Sequence, residues 1–388
     1  PGRRRAGSMH RLPLRRMVRS MDDDPRLAPA DAEGGATRFT CDTCGAGVRW
    51  DPTADALLCD HCGSVEPVPR VGGEIVERAL EDVAGAARGL GLERRVARCD
   101  ECGARVGFDE ATTATQCVYC GSAKVLEQAA NRNALRPESL VPLDVDRAAV
   151  ERAFADWLGK LWFRPNALKR CRADAGRGVY VPFWTFDAAV HSDWSADAGY
   201  YYYVTVPYTV RVNGKTQVRT RQERRTRWEP AWGQRDDVFD DLLVPASQGL
   251  DGELLEALGG FDTSALVPYR PEYLAGWHAE EYQLDLEQGW ARGRTVMETR
   301  QRARCSGDVP GDTQRDLRVT STITDVRWKH VLLPVWSVAY RFRGKVYPVL
   351  VNGQSGCVVG KAPYSWVKIA LAVLTVAGAV AGVVVAQG

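Results

Sequence analysis

The feature that most constrains this chain is a cysteine pattern that occurs twice. Residues 41–64 read CDTCGAGVRWDPTADALLCDHCGS and residues 99–122 read CDECGARVGFDEATTATQCVYCGS; both follow C-x2-C-x14-C-x2-C, and they agree at 12 of 24 positions. Self-similarity of this kind indicates that one small unit was duplicated. A unit of this size buries too little apolar surface to fold alone, so its cysteines must supply much of its stability.

The spacing of the cysteines favours metal binding. A C-x-x-C-G turn directs two thiolates to one side, and two facing turns complete a tetrahedral shell of four sulfurs that suits zinc. We therefore predict two structural zinc ions, each with a closed shell that leaves no position for a catalytic water. The predicted ligands are Cys41, Cys44, Cys59 and Cys62 at the first site and Cys99, Cys102, Cys117 and Cys120 at the second.

Two other uses of these eight cysteines stay open at this point. Disulfide bonds are one, although the sequence before the repeats lacks the apolar core of a secretory signal, which argues for a reducing compartment. A redox-active C-x-x-C pair is the other, although four such pairs in two matched repeats fit that chemistry poorly. Zinc binding is the interpretation we prefer.

Composition and periodicity divide the chain into six segments. The first twenty residues contain seven arginines and no acid, which is typical of a disordered segment. Beyond the repeats, aromatic-rich runs and the dipeptide Asn213-Gly214 indicate β-hairpins, with helical patterns at Asp146–Lys160, Gly252–Leu258 and Ala279–Arg304. The segments are a disordered 1–37, zinc ribbon 38–68, linker helix 69–95, zinc ribbon 96–127, β-rich domain 128–365 and apolar tail 366–388.

The apolar tail predicts a membrane anchor. Ile369–Ala386 is eighteen residues long and without charge, and a helix of that length spans ~27 Å, close to the ~30 Å hydrocarbon core. Lys368 on its N-terminal side predicts that the bulk of the chain is cytosolic and the tail crosses the inner membrane once. The predicted fold class is therefore α+β: two rubredoxin-like zinc ribbons, a β-rich domain with helical insertions, and one C-terminal transmembrane helix.

Charge gives no general sign of nucleic-acid binding. The chain has 51 basic and 49 acidic residues, so such an activity would need a local patch. One basic run exists, at Arg219, Arg221, Arg224, Arg225 and Arg227. It could grip phosphates or anionic lipid. We prefer the interpretation that it is a charged edge strand that discourages aggregation.

The sequence contains no convincing catalytic motif. Gly214-Lys215-Thr216 imitates part of a phosphate-binding loop, but that loop needs glycine at the position of Thr209 and lies between a strand and a helix. The five histidines are scattered. We predict that the protein is not an enzyme and has no catalytic residues.

Several motifs, taken in order, resemble a bacterial family. They are the two cysteine repeats, PFWTFDA at 182–188, YRPEYLAGWHAEEY at 269–282, and LPVWSVAYRFRGKVYPVLVNGQSGCVVGKAP at 333–363 before the apolar tail. Over roughly residues 38–386 the chain resembles membrane-anchored proteins with TFIIB-type zinc ribbons, which are often labelled as similar to primosomal protein N′ (replication factor Y). The resemblance implies zinc at the eight cysteines, no catalytic residues and, because a Walker A motif is missing, no helicase.

The resemblance also implies partners. Similar proteins are associated with phage-shock-type and SPFH-type membrane-stress proteins. The expected function is a non-enzymatic, membrane-anchored zinc-ribbon scaffold that recruits protein partners to the cytoplasmic face of the membrane and contacts the bilayer through Ile369–Ala386. The alternative is a membrane-tethered zinc-ribbon nucleic-acid-binding protein. A homo-oligomer stays open.

Overall fold

The computed structural model of the protein describes residues 39–69, 75–89, 95–101, 104–108, 117–119, 122, 124–128, 134–172, 176–212 and 215–387. The segment predicted to be disordered, 1–37, lies outside this range. The helices are α1 Arg147–Lys160, α2 Gly252–Leu258, α3 Leu286–Asp308 and α4 Trp366–Gln387. The strands are β1 Val48–Asp51, β2 Ala56–Cys59, β3 Val65–Glu66, β4 Arg78–Ala79, β5 Arg95–Cys99, β6 Arg105–Phe108, β7 Val125–Gln128, β8 Ser139–Leu140, β9 Arg177–Val212, β10 Lys215–Pro245, β11 Val267–Pro268, β12 His278–Glu280, β13 Thr313–Phe342, β14 Lys345–Asn352 and β15 Val358–Gly360.

Three very long strands form the centre of the fold. β9 has 36 residues, β10 has 31 and β13 has 30. β10 pairs antiparallel with β9 along almost its whole length, and β13 pairs antiparallel with β9 on the other side. At roughly 3.3 Å per residue, β9 follows a path of about 120 Å.

The long strands stay in register through three bulges. Pairing shifts between Phe239 and Leu242 in β10, and twice in β13. An aspartate with positive φ lies inside each shift, at Asp241, Asp316 and Asp325, with φ of 47°, 55° and 52°. Aspartate tolerates the left-handed conformation better than most residues, so it can occupy the extra position of a bulge at low cost.

The fold is mainly β. Among the residues that the structure describes, strands contain 45% and helices 24%. The strands of the second ribbon, β5–β7, belong to a twelve-stranded sheet with the order β11-β8-β13-β9-β12-β6-β5-β7, to which β4, β10, β14 and β15 attach. The strands of the first ribbon form a separate sheet, β1-β2-β3. The predicted α+β class with a transmembrane helix is therefore wrong, because the three long strands gather most of the described strands into one large sheet and no described helix could span a membrane.

Helix α3 covers the central sheet at very close range. Gly289 and Gly293 face the sheet, and a Cβ atom on them would lie 2.4 Å from Trp184 and 2.9 Å from Phe186. The helix begins after Asp285, whose side chain accepts a hydrogen bond from the Gln288 N–H at 2.8 Å. The sequence prediction placed its start at Ala279, which is wrong because residues 278–280 pair as β12.

Helix α1 agrees with its prediction. It begins after Asp146, whose carboxylate accepts a hydrogen bond from the Ala149 N–H at 2.7 Å. Its apolar side chains Val150, Phe154 and Leu158 are buried. The helix predicted at 252–258 is also present as α2.

The linker helix predicted between the ribbons is wrong for residues 75–89. There the chain forms β4 and a series of turns. β4 pairs with β13, and the Trp328 indole N–H donates to the Ala79 carbonyl at 3.1 Å. Leu80 and Val83, whose spacing suggested a helix, pack on the core beneath the central sheet. Backbone pairing with the edge of the long strand β13 therefore stabilises residues 78–79 as a strand and not as a helix.

The apolar tail forms α4, at the place where a helix was predicted. Across the part of the chain that the structure describes, no helix is both long and apolar enough to cross a membrane. The predicted transmembrane anchor and the predicted inner-membrane localisation are therefore wrong. Six alanines and two glycines among residues 369–386 favour insertion into a bilayer less than leucine or isoleucine would.

Candidate metal centre

Four cysteines of the first repeat come together as one cluster. The Sγ atoms of Cys41, Cys44, Cys59 and Cys62 all lie within 4.8 Å of one another. The Cys41–Cys62 and Cys44–Cys59 Sγ distances are both 3.5 Å, far longer than the ~2.05 Å of a disulfide. A tetrahedron with metal–sulfur bonds of ~2.3 Å has edges of ~3.8 Å. The cluster could therefore hold one metal ion with four thiolate ligands.

Two matching turns direct these sulfurs. The Gly45 N–H donates to the Cys41 carbonyl at 2.8 Å, and the Gly63 N–H donates to the Cys59 carbonyl at 2.9 Å. Both glycines are left-handed, with φ of 74° and 75°. A side chain would strain this conformation, which explains why glycine follows each C-x-x-C.

A short hairpin holds the two turns opposite each other. β1 pairs antiparallel with β2, and Val48 lies directly across from Cys59. The Asp51 carboxylate accepts hydrogen bonds from the N–H groups of Thr53 and Ala54, both at 3.0 Å, and so closes the loop of the hairpin. The fourteen residues between the cysteine pairs therefore act as a spacer of fixed geometry.

The cluster lowers the pKa of two of its thiols and raises the pKa of the other two. Burial alone would raise the pKa of Cys41, but the N–H groups of Cys44 and Thr43 outweigh it and lower that pKa to about 6. The Cys62 N–H lowers the pKa of Cys59. The Ser64 N–H lowers the pKa of Cys62, yet the sulfurs of Cys44 and Cys41 raise it to about 12. Four thiolates this close repel one another, so a bound cation would be needed to release the last protons.

One tryptophan fixes the first ribbon to the rest of the protein. Trp50 is 1% exposed, and its ring lies 4.6 Å from that of Tyr273. Its indole N–H donates to the Leu143 carbonyl at 3.2 Å. Its backbone carbonyl accepts from the Trp277 indole at 2.9 Å, and its N–H donates to the Ala275 carbonyl at 3.0 Å. The metal cluster is thus carried on a strand that is firmly anchored at its middle.

The second repeat is described in part. Cys99 and Cys117 are buried, whereas Cys102 and Cys120, the other predicted ligands, lie outside the described residues. The turn geometry of the first ribbon recurs: the Cys99 N–H donates to the Ala104 carbonyl at 2.9 Å, as Cys41 does to Ala46 at 2.7 Å. The Cys117 N–H likewise donates to Ser122 at 2.8 Å, as Cys59 does to Ser64 at 2.9 Å.

A buried carboxylate beside the second ribbon was missed by sequence reasoning. Glu280 is 1% exposed and accepts hydrogen bonds from the Tyr119 hydroxyl at 2.8 Å, the Ser247 hydroxyl at 2.9 Å and the Gln283 amide at 3.0 Å. Burial raises the pKa of Glu280 to about 7. Tyr119 lies between the two last cysteines of the repeat, so this contact joins the ribbon to β12. The sequence held one signal: Tyr119 replaces the exposed His61 of the first repeat.

Among known proteins, the chain is similar to an uncharacterized protein of Bacillus subtilis, YdjG. The two are 27% identical over 349 residues, which covers 86% of this chain and 92% of that protein. No family model matches the chain, and no solved structure matches it. The likeness extends well beyond the ribbons, and the resemblance to the TFIIB-type zinc-ribbon family stays a prediction.

Proposed function

We propose that this protein is a non-enzymatic, zinc-dependent scaffold that recruits protein partners. The observation that carries the proposal is the cluster of four cysteine sulfurs within 4.8 Å. Soft thiolates in tetrahedral array suit zinc, and because the protein supplies all four ligands, a zinc ion there has no open position for substrate or water. The metal ion would stabilise the fold of the ribbon, and the folded ribbon would bind the protein partners.

The second ribbon is proposed to hold a second zinc ion in the same way. Its ligands would be Cys99, Cys102, Cys117 and Cys120. The support is the repeated pair of backbone hydrogen bonds at Cys99 and Cys117 and the repeated cysteine spacing. Purified protein should then contain about two zinc per chain. A zinc content near zero, or iron in its place, would contradict the metal assignment.

The ribbons offer surfaces on which partners could dock. Each exposes one large apolar side chain on its third strand: Val65 on β3 is 53% exposed, and Leu126 on β7 is 55% exposed. An exposed apolar side chain that a docked partner removes from water contributes to the affinity of the complex. The family resemblance makes phage-shock-type and SPFH-type proteins the first partners to test.

Cross-linking in cells, followed by nuclease treatment and identification of the captured proteins, tests the scaffold. The wild-type protein should capture a defined set of proteins. The double variant Cys44→Ser, Cys62→Ser should lose those partners that bind the first ribbon, and Cys357→Ser, at an exposed cysteine outside the cluster, should retain them. A captured partner must then bind the purified full chain directly, and Val65→Ser should weaken that complex. Equal capture by all three proteins would overturn the proposal.

A further inference from the structure

One part of the central sheet extends beyond the end of β13. β13 makes its last pairing with β9 at Gly199, opposite Thr313. Beyond that point, among the strands that the structure describes, β9 and β10 pair only with each other as a two-stranded hairpin, Tyr200–Val212 with Lys215–Arg227. We call residues 200–227 the arm. At about 3.3 Å per residue it is roughly 40 Å long.

The arm carries a strong excess of positive charge. It contains seven basic residues and one acidic residue, a net charge of +6, whereas the whole chain has +2 and the remainder therefore −4. The basic residues are Arg211, Lys215, Arg219, Arg221, Arg224, Arg225 and Arg227, and the acidic residue is Glu223. An excess of this size over so short a segment attracts polyanions.

The pairing register concentrates this charge on one face together with aromatic rings. Tyr200 pairs with Arg227, Tyr202 with Arg225, and Tyr208 with Arg219. Residues directly opposite each other in an antiparallel pair share a face of the sheet. The basic and aromatic residues of this face, which we call the basic-aromatic face, are Tyr200, Tyr202, Tyr208, Lys215, Arg219, Arg221, Arg225 and Arg227. Glu223 is its one acid, and valines and Gln217 occupy its other positions. The opposite face has two cations, Arg211 and Arg224, and two tyrosines, Tyr201 and Tyr203.

Most groups on the basic-aromatic face are exposed, and Tyr200 at its base is half-buried. Tyr202 is 45% exposed and Tyr208 37% exposed, and Arg219, Arg221 and Arg225 are exposed as well. The Arg221 guanidinium lies 5.9 Å from the Tyr208 ring centre, and that of Arg227 lies 5.7 Å from Tyr200. Each of the three rings on β9 therefore lies beside a cation on β10.

The arm has a well-anchored root. The Tyr201 N–H donates to the Asp312 carboxylate at 2.8 Å. The Arg315 guanidinium lies 4.3 Å from the Trp228 ring centre and pairs with Asp197 at 3.0 Å. These contacts fix the direction in which the two strands leave the sheet.

We propose that the basic-aromatic face of the arm binds single-stranded nucleic acid. Arginines would hold the phosphates, and Tyr200, Tyr202 and Tyr208 would stack against the bases, which is how proteins bind single strands without sequence readout. Charged residues that protect an edge strand do not need exposed tyrosines in register with them. A second copy of the arm is disfavoured as the partner, because it would place a net charge of +6 against another of +6. This activity goes beyond the proposed scaffold function and does not depend on the ribbons.

Fluorescence anisotropy of the zinc-loaded full chain with labelled oligo(dT) of about 20 nucleotides tests the proposal. Affinity should fall steeply between roughly 50 and 200 mM salt, with a slope near −0.7 per phosphate contact, so that five cations give roughly −3 to −4. No binding at the lowest salt would overturn the proposal. Equal or tighter binding of a duplex of the same length would also overturn it, because paired bases are not free to stack on tyrosine.

A triple arginine variant separates this site from general charge. Arg219→Gln, Arg221→Gln and Arg225→Gln together should lower the affinity at least tenfold and reduce the salt slope by about 2. The matched control is Arg152→Gln, Arg292→Gln and Arg300→Gln, three exposed arginines on α1 and α3. It removes the same charge and should stay within about twofold of wild type. An equal loss in both triples would contradict a site on the arm.

A double tyrosine variant tests stacking. Tyr202→Thr with Tyr208→Thr keeps strand-forming residues and should lower the affinity about tenfold or more. Tyr201→Thr with Tyr203→Thr, on the opposite face, should change it less than about twofold. Equal losses would overturn the assignment to one face. Binding to vesicles of anionic lipid by a protein that ignores oligo(dT) would overturn the nucleic-acid proposal itself.

Discussion

The two ribbons share half of their aligned residues, yet they join the protein in different ways. The first ribbon forms its own three-stranded sheet, and Trp50 fixes it to the rest of the protein. The second continues the large sheet, because β6 pairs with β12. Backbone turns around the cysteines are the same where both are described. The comparison shows that the ligand frame and the mode of attachment are separate properties of a ribbon, carried by different residues.

The residues between the last two cysteines make much of that difference. In the first ribbon they are Asp60 and His61, both exposed, and Asp60 pairs with Arg49 at 3.1 Å. In the second they are Val118 and Tyr119, which are half-buried and buried. A turn that faces water in one copy therefore packs against a buried carboxylate in the other.

Removal of one ligand should have the largest effect and should separate the ribbons. Cys59→Ser should lower the zinc content from about two to one per chain and abolish hydrogen-exchange protection at 48–66, because zinc binding contributes roughly 10–16 kcal/mol to such modules. Protection of β6, which pairs with β12, should be unchanged. Cys357→Ser is the control and should keep both ions. Loss of protection throughout the sheet would show that the ribbons are not independent.

Tyr119→Phe should weaken the attachment of the second ribbon. It removes the hydroxyl that donates to Glu280, and a buried acceptor that loses a partner costs about 1–3 kcal/mol in the free energy of unfolding. Denaturant unfolding at pH 6 and at pH 8, on either side of the Glu280 pKa of about 7, measures this loss in the free energy of unfolding. His61→Phe, at the matching exposed position, should change stability by less than about 0.5 kcal/mol. Equal effects at both positions would remove the proposed difference between the ribbons.

Trp50→Phe should loosen the first ribbon by a similar amount. The smaller ring can still fill most of the buried space, but the buried Leu143 carbonyl loses its donor, which costs about 1–3 kcal/mol. Faster hydrogen exchange in β1 and β2, with no change in β5 and β6, is the expected result. Faster exchange in both ribbons would contradict separate attachments.

The smallest effect is expected at Arg49→Gln. The Arg49 side chain is 37% exposed and pairs with Asp60 at 3.1 Å and with Asp51 at 2.8 Å, and exposed ion pairs contribute about 0.2–1 kcal/mol each. The difference from wild type in thermal unfolding should shrink further in about 1 M salt. A larger loss that persists in salt would mean that the Arg49 side chain, and not Trp50, holds the first ribbon.

The metal cluster was predictable because its ligands are close in sequence. The spacing of Cys41, Cys44, Cys59 and Cys62 selects a known turn, and glycine marks the left-handed position in each. The pair of Tyr119 and Glu280 was not predictable, since 161 residues separate the two and no sequence pattern links the two motifs in which they lie. Contacts of this kind depend on the path of the whole chain.

The long strands were predicted only in pieces. Residues 191–199 contain Ser192, Trp194, Ala196 and Ala198, which are buried, alternating with more exposed neighbours. The alternation is that of a strand, but small and polar residues on the buried side hide it from a hydrophobicity pattern. Residues 75–89 failed in the opposite way, because apolar spacing suggested a helix where β13 offered an edge to pair with.

The continuity of β9 has a mechanical consequence. One uninterrupted stretch of backbone runs from Val212, the last residue of β9, to Val179 and Tyr180, which pair in parallel with β12, and β12 in turn pairs with the second ribbon. A pull at Val212 is therefore transmitted along covalent bonds for most of its route and then across two short ladders of hydrogen bonds. Those ladders are the weakest links, so under tension the second ribbon would detach before the long strands separate.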